Sequence, residues 1–90
     1  MKLHEIIVWD NQYQDATTYI GKDLTETIDK AYRTYTTIYD EISASGELDS
    51  DNEKRTRREF ASEILDNEPL YIQARFYSVE FIYKSHEINI

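Results

Sequence analysis

Apolar residues fall at Leu24, Ile28, Ala31, Tyr35, Ile38 and Ile42, separated by four and three positions in turn. That spacing lines one face of a helix. Asp23 stands ready to cap its start, with Glu26 three residues later as the second half of a capping box that uses Asp in place of Ser or Thr. Gly46, after Ser43-Ala44-Ser45, supplies a left-handed cap at the other end. The strand-prone run Thr34-Tyr35-Thr36-Thr37-Ile38-Tyr39 opposes this reading, but the longer periodicity outweighs it.

A second helix is expected from Ser50 or Asp51 to Asp66. Ser50 and Glu53 form its capping box, Phe60, Ala61, Ile64 and Leu65 its buried stripe, and Asn67-Glu68-Pro69 its stop. Strands are expected over residues 2–9, which end in Ile-Ile-Val-Trp, and more weakly over 16–20, closed by Gly21. Beyond Pro69, Leu70, Ile72, Ala74 and Phe76 alternate, and then Val79, Phe81 and Tyr83 alternate in the opposite phase. One straight strand over 70–84 would reach about 50 Å at ~3.3 Å per residue, too long for so small a domain. A bulge, sharp bend or tight hairpin is therefore expected at Tyr77-Ser78, with residues 87–90 adding a short edge pairing. The pattern predicts an α+β fold: a small antiparallel sheet, made of the N-terminal strand plus C-terminal strands, packed against two helices.

Ninety residues leave room for one such core, so residues 1–90 read as a single domain. With 40% hydrophobic and 31% charged residues, two glycines and one proline, the composition is that of a folded chain. The chain has no cysteine. Disulfides, thiolate nucleophiles and thiolate metal sites are thereby excluded, and a reducing cytoplasm is the expected location. Glu5 interrupts the N-terminal segment ahead of a short apolar run, so no secretion signal is expected. No apolar run approaches the roughly 18 residues that cross a bilayer, and a net charge of -8 opposes anionic headgroups, so no membrane association is expected.

Candidate chemistry is sparse. His4 and His86 belong to no spaced ligand pair and read as ordinary strand positions. Asp49, Asp51 and Glu53 resemble the start of a calcium loop, but Lys54 occupies the sixth position, where a glycine is required. No phosphate-binding glycine loop, nucleophile elbow or distinctive acid pair occurs. Neither an enzyme nor a cofactor or metal site is expected. The one basic run, Lys54-Arg55-Thr56-Arg57-Arg58, follows several acidic residues and reads as intramolecular pairing on a solvated helix face. Acidity elsewhere argues against direct nucleic-acid binding.

Charge and tyrosine distribution change the picture more. Between Arg33 and Lys54 there is no basic residue, while Asp40, Glu41, Glu47, Asp49, Asp51 and Glu53 all fall there. Asp23, Glu26 and Asp29 extend the acidic set, interrupted by Lys30 and Arg33. Carboxylates three or four apart on a helix recur every ~5–6 Å, a pitch able to imitate phosphates along a nucleic-acid strand. Solubility alone is a competing explanation, since a charge of this size lies at the edge of what small domains carry. The chain has eight tyrosines. Tyr32 and Tyr39 flank the core position Tyr35 and are candidates for an interface ridge, because a tyrosine ring packs on apolar neighbours while its hydroxyl serves a partner.

Small size, acidity, tyrosine content and missing chemistry together resemble the small anti-defence proteins of phages and mobile elements, of the anti-CRISPR or DNA-mimic type. The resemblance is one of general character over the whole chain, and no motif carries it. It implies stoichiometric inhibition of a basic nucleic-acid-binding protein or nuclease, in the cytoplasm of a host bacterium. Asp23, Glu26, Asp29, Asp40, Glu41, Glu47, Asp49, Asp51 and Glu53 would form the charged surface, and Tyr32 and Tyr39 the aromatic contacts. The alternative is a homodimeric regulatory or structural protein, associating through a sheet edge or its tyrosines.

Overall fold

A computed structural model describes residues 1–89 as β1 (Lys2–Asp10), β2 (Asp15–Gly21), α1 (Leu24–Ser45), α2 (Arg57–Leu65), β3 (Leu70–Gln73) and β4 (Ser78–Glu87). The strands form one antiparallel sheet in the order β2-β1-β4-β3. Two hairpins, one from each end of the chain, are thus joined by the long β1–β4 pairing, which runs from Lys2 opposite Glu87 to Asp10 opposite Val79. Both hairpin turns consequently lie at the same end of the sheet. Ile88 N–H continues the pairing to the Met1 carbonyl at 2.7 Å, as expected for the tail. The last residue of that expected pairing, Ile90, lies outside the described residues.

Alternation along each strand divides the sheet into two faces. Ile6, Val8, Leu70, Ile72, Val79 and Phe81 point inward and are buried. Against them α1 sets Ile28, Ala31, Tyr35 and Ile42, and α2 sets Phe60 and Ile64. Both helices cover the same face, giving the expected two-layer α+β fold. The period of α1 is as the sequence indicates, and Gly46 takes the left-handed conformation (φ 77°), where any side chain would be strained. At its start only the Asp23 half of the expected capping box forms, with Glu26 N–H donating to Oδ1 at 3.2 Å. The Glu26 carboxylate turns instead to Lys30, 3.4 Å away.

The second helix begins later than expected. Residues 46–56 do not extend it at its N-terminal end, because their backbone is engaged by the edge of β3. Leu48 bridges Ala74, Asp49 N–H donates to the Gln73 carbonyl at 3.0 Å, and the Asn52 side chain both donates to and accepts from the Gln73 backbone. Ser50 and Glu53 therefore form no cap. Thr56 and Glu59 form the box, each side chain bonded to the other's backbone N–H. Leu65, placed on the buried stripe by its spacing, is 38% exposed, because α2 ends there.

The phase slip after Pro69 is resolved by a tight hairpin two residues earlier than expected. Ala74 N–H donates to the Tyr77 carbonyl at 2.8 Å, leaving Arg75 and Phe76 as the turn. Phe76, which the alternation assigns to the buried set, is instead 86% exposed.

The Thr56 cap should contribute about 1 kcal/mol, measured as the loss of unfolding free energy in Thr56→Ala. Hydrogen bonds from Thr56 hold the Glu59 carboxyl below its ordinary value of 4.5. Its contribution is therefore present above that value and lost as pH falls through the lower value of the folded state. Chemical denaturation between about pH 3 and pH 6 should show a shallower acid loss for Glu59→Gln than for the parent chain.

Candidate protein-interaction surface

The structure separates the expected acidic surface into neutralised and free portions. On α1, Glu26 pairs with Lys30, Asp29 with Arg57, and Asp40 with Lys54 at 2.8 Å. Asp23 is occupied as the N-cap. The basic run after the loop thus folds back onto the acidic helix: Lys54 and Arg57 neutralise α1, and Arg55 reaches Glu63 at 2.7 Å. The hydrogen bond to Asp40 holds the Lys54 ammonium above its usual value, and Glu63 does the same for the Arg55 guanidinium. Such exposed pairs contribute little stability. Their consequence here is electrostatic, since α1 no longer carries an unbroken row of negative charge.

Among the described residues, Glu41, Glu47, Asp49, Asp51 and Glu53 form no ion pair. Glu41 projects from the last turns of α1, and Glu47 follows the Gly46 cap. Glu47 is held by its backbone, whose carbonyl accepts Arg75 N–H at 2.8 Å. Asp49 opens the turn in which Asp51 sits, its Oδ1 accepting Asp51 N–H at 3.2 Å. The free carboxylates therefore start at the hairpin end of the sheet and continue along the covered edge of β3.

Tyr32 and Tyr39 are used within the fold. Tyr32 stacks on Tyr35 with ring centroids 5.7 Å apart and lies 5.5 Å from Phe60. Its hydroxyl donates to the Arg55 carbonyl at 2.8 Å. Tyr39 packs on Tyr35 at 6.0 Å, and its outer face receives the Lys54 ammonium, 5.8 Å from the ring centroid. Both remain partly exposed, but their hydroxyl or π face serves the docking of residues 54–56.

The most exposed aromatics are two others, one of which, Phe76, has the guanidinium of its neighbour Arg75 5.8 Å from the ring centroid. Tyr13, in the β1–β2 turn, is 74% exposed, and Phe76, in the β3–β4 turn, is 86% exposed. The antiparallel pairing places both at the hairpin end, beside the C-terminus of α1. Between these elements lies an open cleft of about 340 Å³, lined by Asp10, Tyr13, Glu41, Ile42, Glu47 and Tyr77 among others. Burial, with Glu47 and Asp10 close by, raises the Tyr77 phenol above its usual value, so it remains a neutral donor among carboxylates. Tyr13 follows the turn residues Asp10-Asn11-Gln12, which mark a reversal there, whereas no local signal distinguishes Phe76 from Tyr77 as the residue that the second turn exposes.

His4 and His86 do not converge. His4 Nδ1 bonds the Tyr83 hydroxyl at 2.7 Å and His86 Nε2 bonds Glu5 at 2.9 Å. Among the described residues no group of three or more His, Cys, Asp and Glu side chains is arranged to hold a metal ion.

If Tyr32 serves the fold first, Tyr32→Phe should cost about 1 kcal/mol in denaturant unfolding through loss of the bond to Arg55.

Comparison with known proteins found no matching family model, no matching curated protein and no matching solved structure.

Proposed function

We propose that this protein acts by stoichiometric binding, using the hairpin end and the adjoining acidic loop to engage a basic surface on a protein partner. One observation carries the reading: the exposed ring of Tyr13 lines a cleft whose carboxylates Glu41 and Glu47 have no cation partner among the described residues, and the still more exposed Phe76 stands in the neighbouring β3–β4 turn. Unpaired carboxylates raise the rate of encounter with a basic partner, and desolvated aromatics slow its release. The finer reading is that the partner is a nucleic-acid-binding enzyme, such as a CRISPR or other defence nuclease, whose cleft for phosphates accepts Glu41, Glu47, Asp49, Asp51 and Glu53 as a decoy. In that reading Asp23, Glu26, Asp29 and Asp40 shape the margin, since each is already capping or paired.

Affinity capture with the tagged chain from host cells, followed by titration of the recovered partner, tests both levels. Binding should weaken between about 50 and about 200 mM salt, and Asp49→Lys with Asp51→Lys should reduce that dependence. Tyr13→Ala or Phe76→Ala should accelerate dissociation by about tenfold or more, as expected for interface anchors. Duplex DNA should compete with the chain for the partner. Binding that ignores DNA would sink the decoy reading, and affinity indifferent to salt and to both sets of variants would sink the surface itself.

A further inference from the structure

The outward face of the sheet is left open by the helices. Strand alternation places Leu3, Glu5, Ile7 and Trp9 of β1 on it, with Ala16, Thr18 and Ile20 of β2, Glu80, Ile82, Lys84 and His86 of β4, and Tyr71 of β3. The register sets Ile7 beside Ile82 and Thr18 in the central row, with Trp9 beside Glu80 and Ala16 in the next. Ile20 is 58% exposed and Tyr71 47%, and no helix among the described residues covers this face. Its charges are Glu5, Glu80 and Lys84, with His86 bonded to Glu5, so a chain of net charge -8 holds one face close to balance.

From this we infer that two copies of the chain pair through their open sheet faces. The charged residues fit a two-fold relation. Glu80 and Lys84 stand two positions either side of Ile82 on the same strand, and neither has an ion-pair partner in its own chain among the described residues. An axis crossing the strands over the Ile7–Ile82 row stacks β4 on β4, brings Ile82 onto its counterpart and sets each Lys84 against the partner's Glu80. The same operation lays Glu5 over the partner's Trp9. An isologous contact requires this kind of self-complementarity.

The area is sufficient. The four strands hold 30 residues, which at ~3.3 Å each and ~4.8 Å between strands give about 480 Å² in plan, and side-chain relief raises this toward the ~600 Å² per partner at the lower end of stable interfaces. Aligned sheets stack about 10 Å apart, burying the apolar rows between them. One edge of the sheet is in part already occupied, since residues 47–52 engage residues 73–75 at the end of β3.

Light scattering and sedimentation of the full chain over a concentration series test the inference. Trp9 is the only tryptophan, so its emission should shift to the blue as the dimer forms. Ile7→Glu and Ile82→Lys should give monomers with an unchanged far-ultraviolet spectrum. Glu80→Lys and Lys84→Glu should each weaken the dimer by about tenfold or more, and the two together should recover most of that loss because the pairs re-form with reversed sign. A parent chain that stays monomeric at roughly hundreds of micromolar overturns the inference. So does a dimer that survives Ile82→Lys, or a double reversal without recovery; pairing through the open edge of β2 would give both results.

Discussion

One buried aromatic cluster fixes how both helices sit on the sheet. Tyr35, 1% exposed, meets Phe60 of α2 at 5.3 Å and Phe81 of β4 at 5.6 Å, while Phe60 and Phe81 meet each other edge-on at 5.6 Å. Three elements remote in sequence are fixed at one point. Such a triad combines large apolar burial with preferred ring geometry. The hydroxyl of Tyr35 is equally constrained, since it accepts Arg55 N–H at 2.8 Å and burial raises its pKa, keeping it protonated. A phenol in the core thus anchors the end of the acidic loop. From that anchor follow the start of α2 at the Thr56 cap, the return of Lys54 and Arg57 onto α1, and the strip of loop left to run beside β3.

The sequence was most legible where one constraint acted alone. The Leu24-to-Ile42 stripe and Gly46 specified α1 because periodicity and cap agreed with each other. The N-terminal strand was similarly plain, and the phase slip after Pro69 announced a reversal without fixing its position. Legibility failed where two local signals were equally good. Ser50/Glu53 and Thr56/Glu59 are both capping boxes by spacing, and long-range contacts, Asn52 with Gln73 and Arg55 with the Tyr35 hydroxyl, select the second. Phe76 satisfied the alternation of β3, yet the hydrogen bond from Ala74 to Tyr77 places it in the turn. Hydrophobic spacing does not reveal which apolar residue a reversal will expose.

The same limit applied to the charged surface. Listing carboxylates along the chain cannot indicate which ones the basic run will neutralise, because that depends on α2 docking against α1. Once docked, Asp29 and Asp40 acquire cations from residues 57 and 54, and the unneutralised set contracts toward Glu41, Glu47 and the loop. Tyrosine count does not reveal what each ring packs on: Tyr32 and Tyr39 lie against Tyr35 and the returning basic run while staying partly exposed. Tyr13, from a turn with no apolar pattern around it, is the tyrosine left free at the hairpin end.

Distribution of charge is therefore more informative than its total. Acidity spread evenly would serve solubility and would leave every surface repelling a second copy. In this chain the helical surface is laced with ion pairs, the hairpin end and loop retain unpaired carboxylates, and the open sheet face has its few charges nearly balanced around an apolar centre. These three surfaces have different physical consequences for association. The first gains little from meeting any partner, the second favours a cationic one, and the third is where two chains of like charge approach with least repulsion and most apolar area to bury. Because the open face and the hairpin end are separate regions of one small domain, occupation of the face by a second copy would leave two acidic ends available for partners. A dimer of that kind would gain avidity toward a partner only if both ends can be engaged at once.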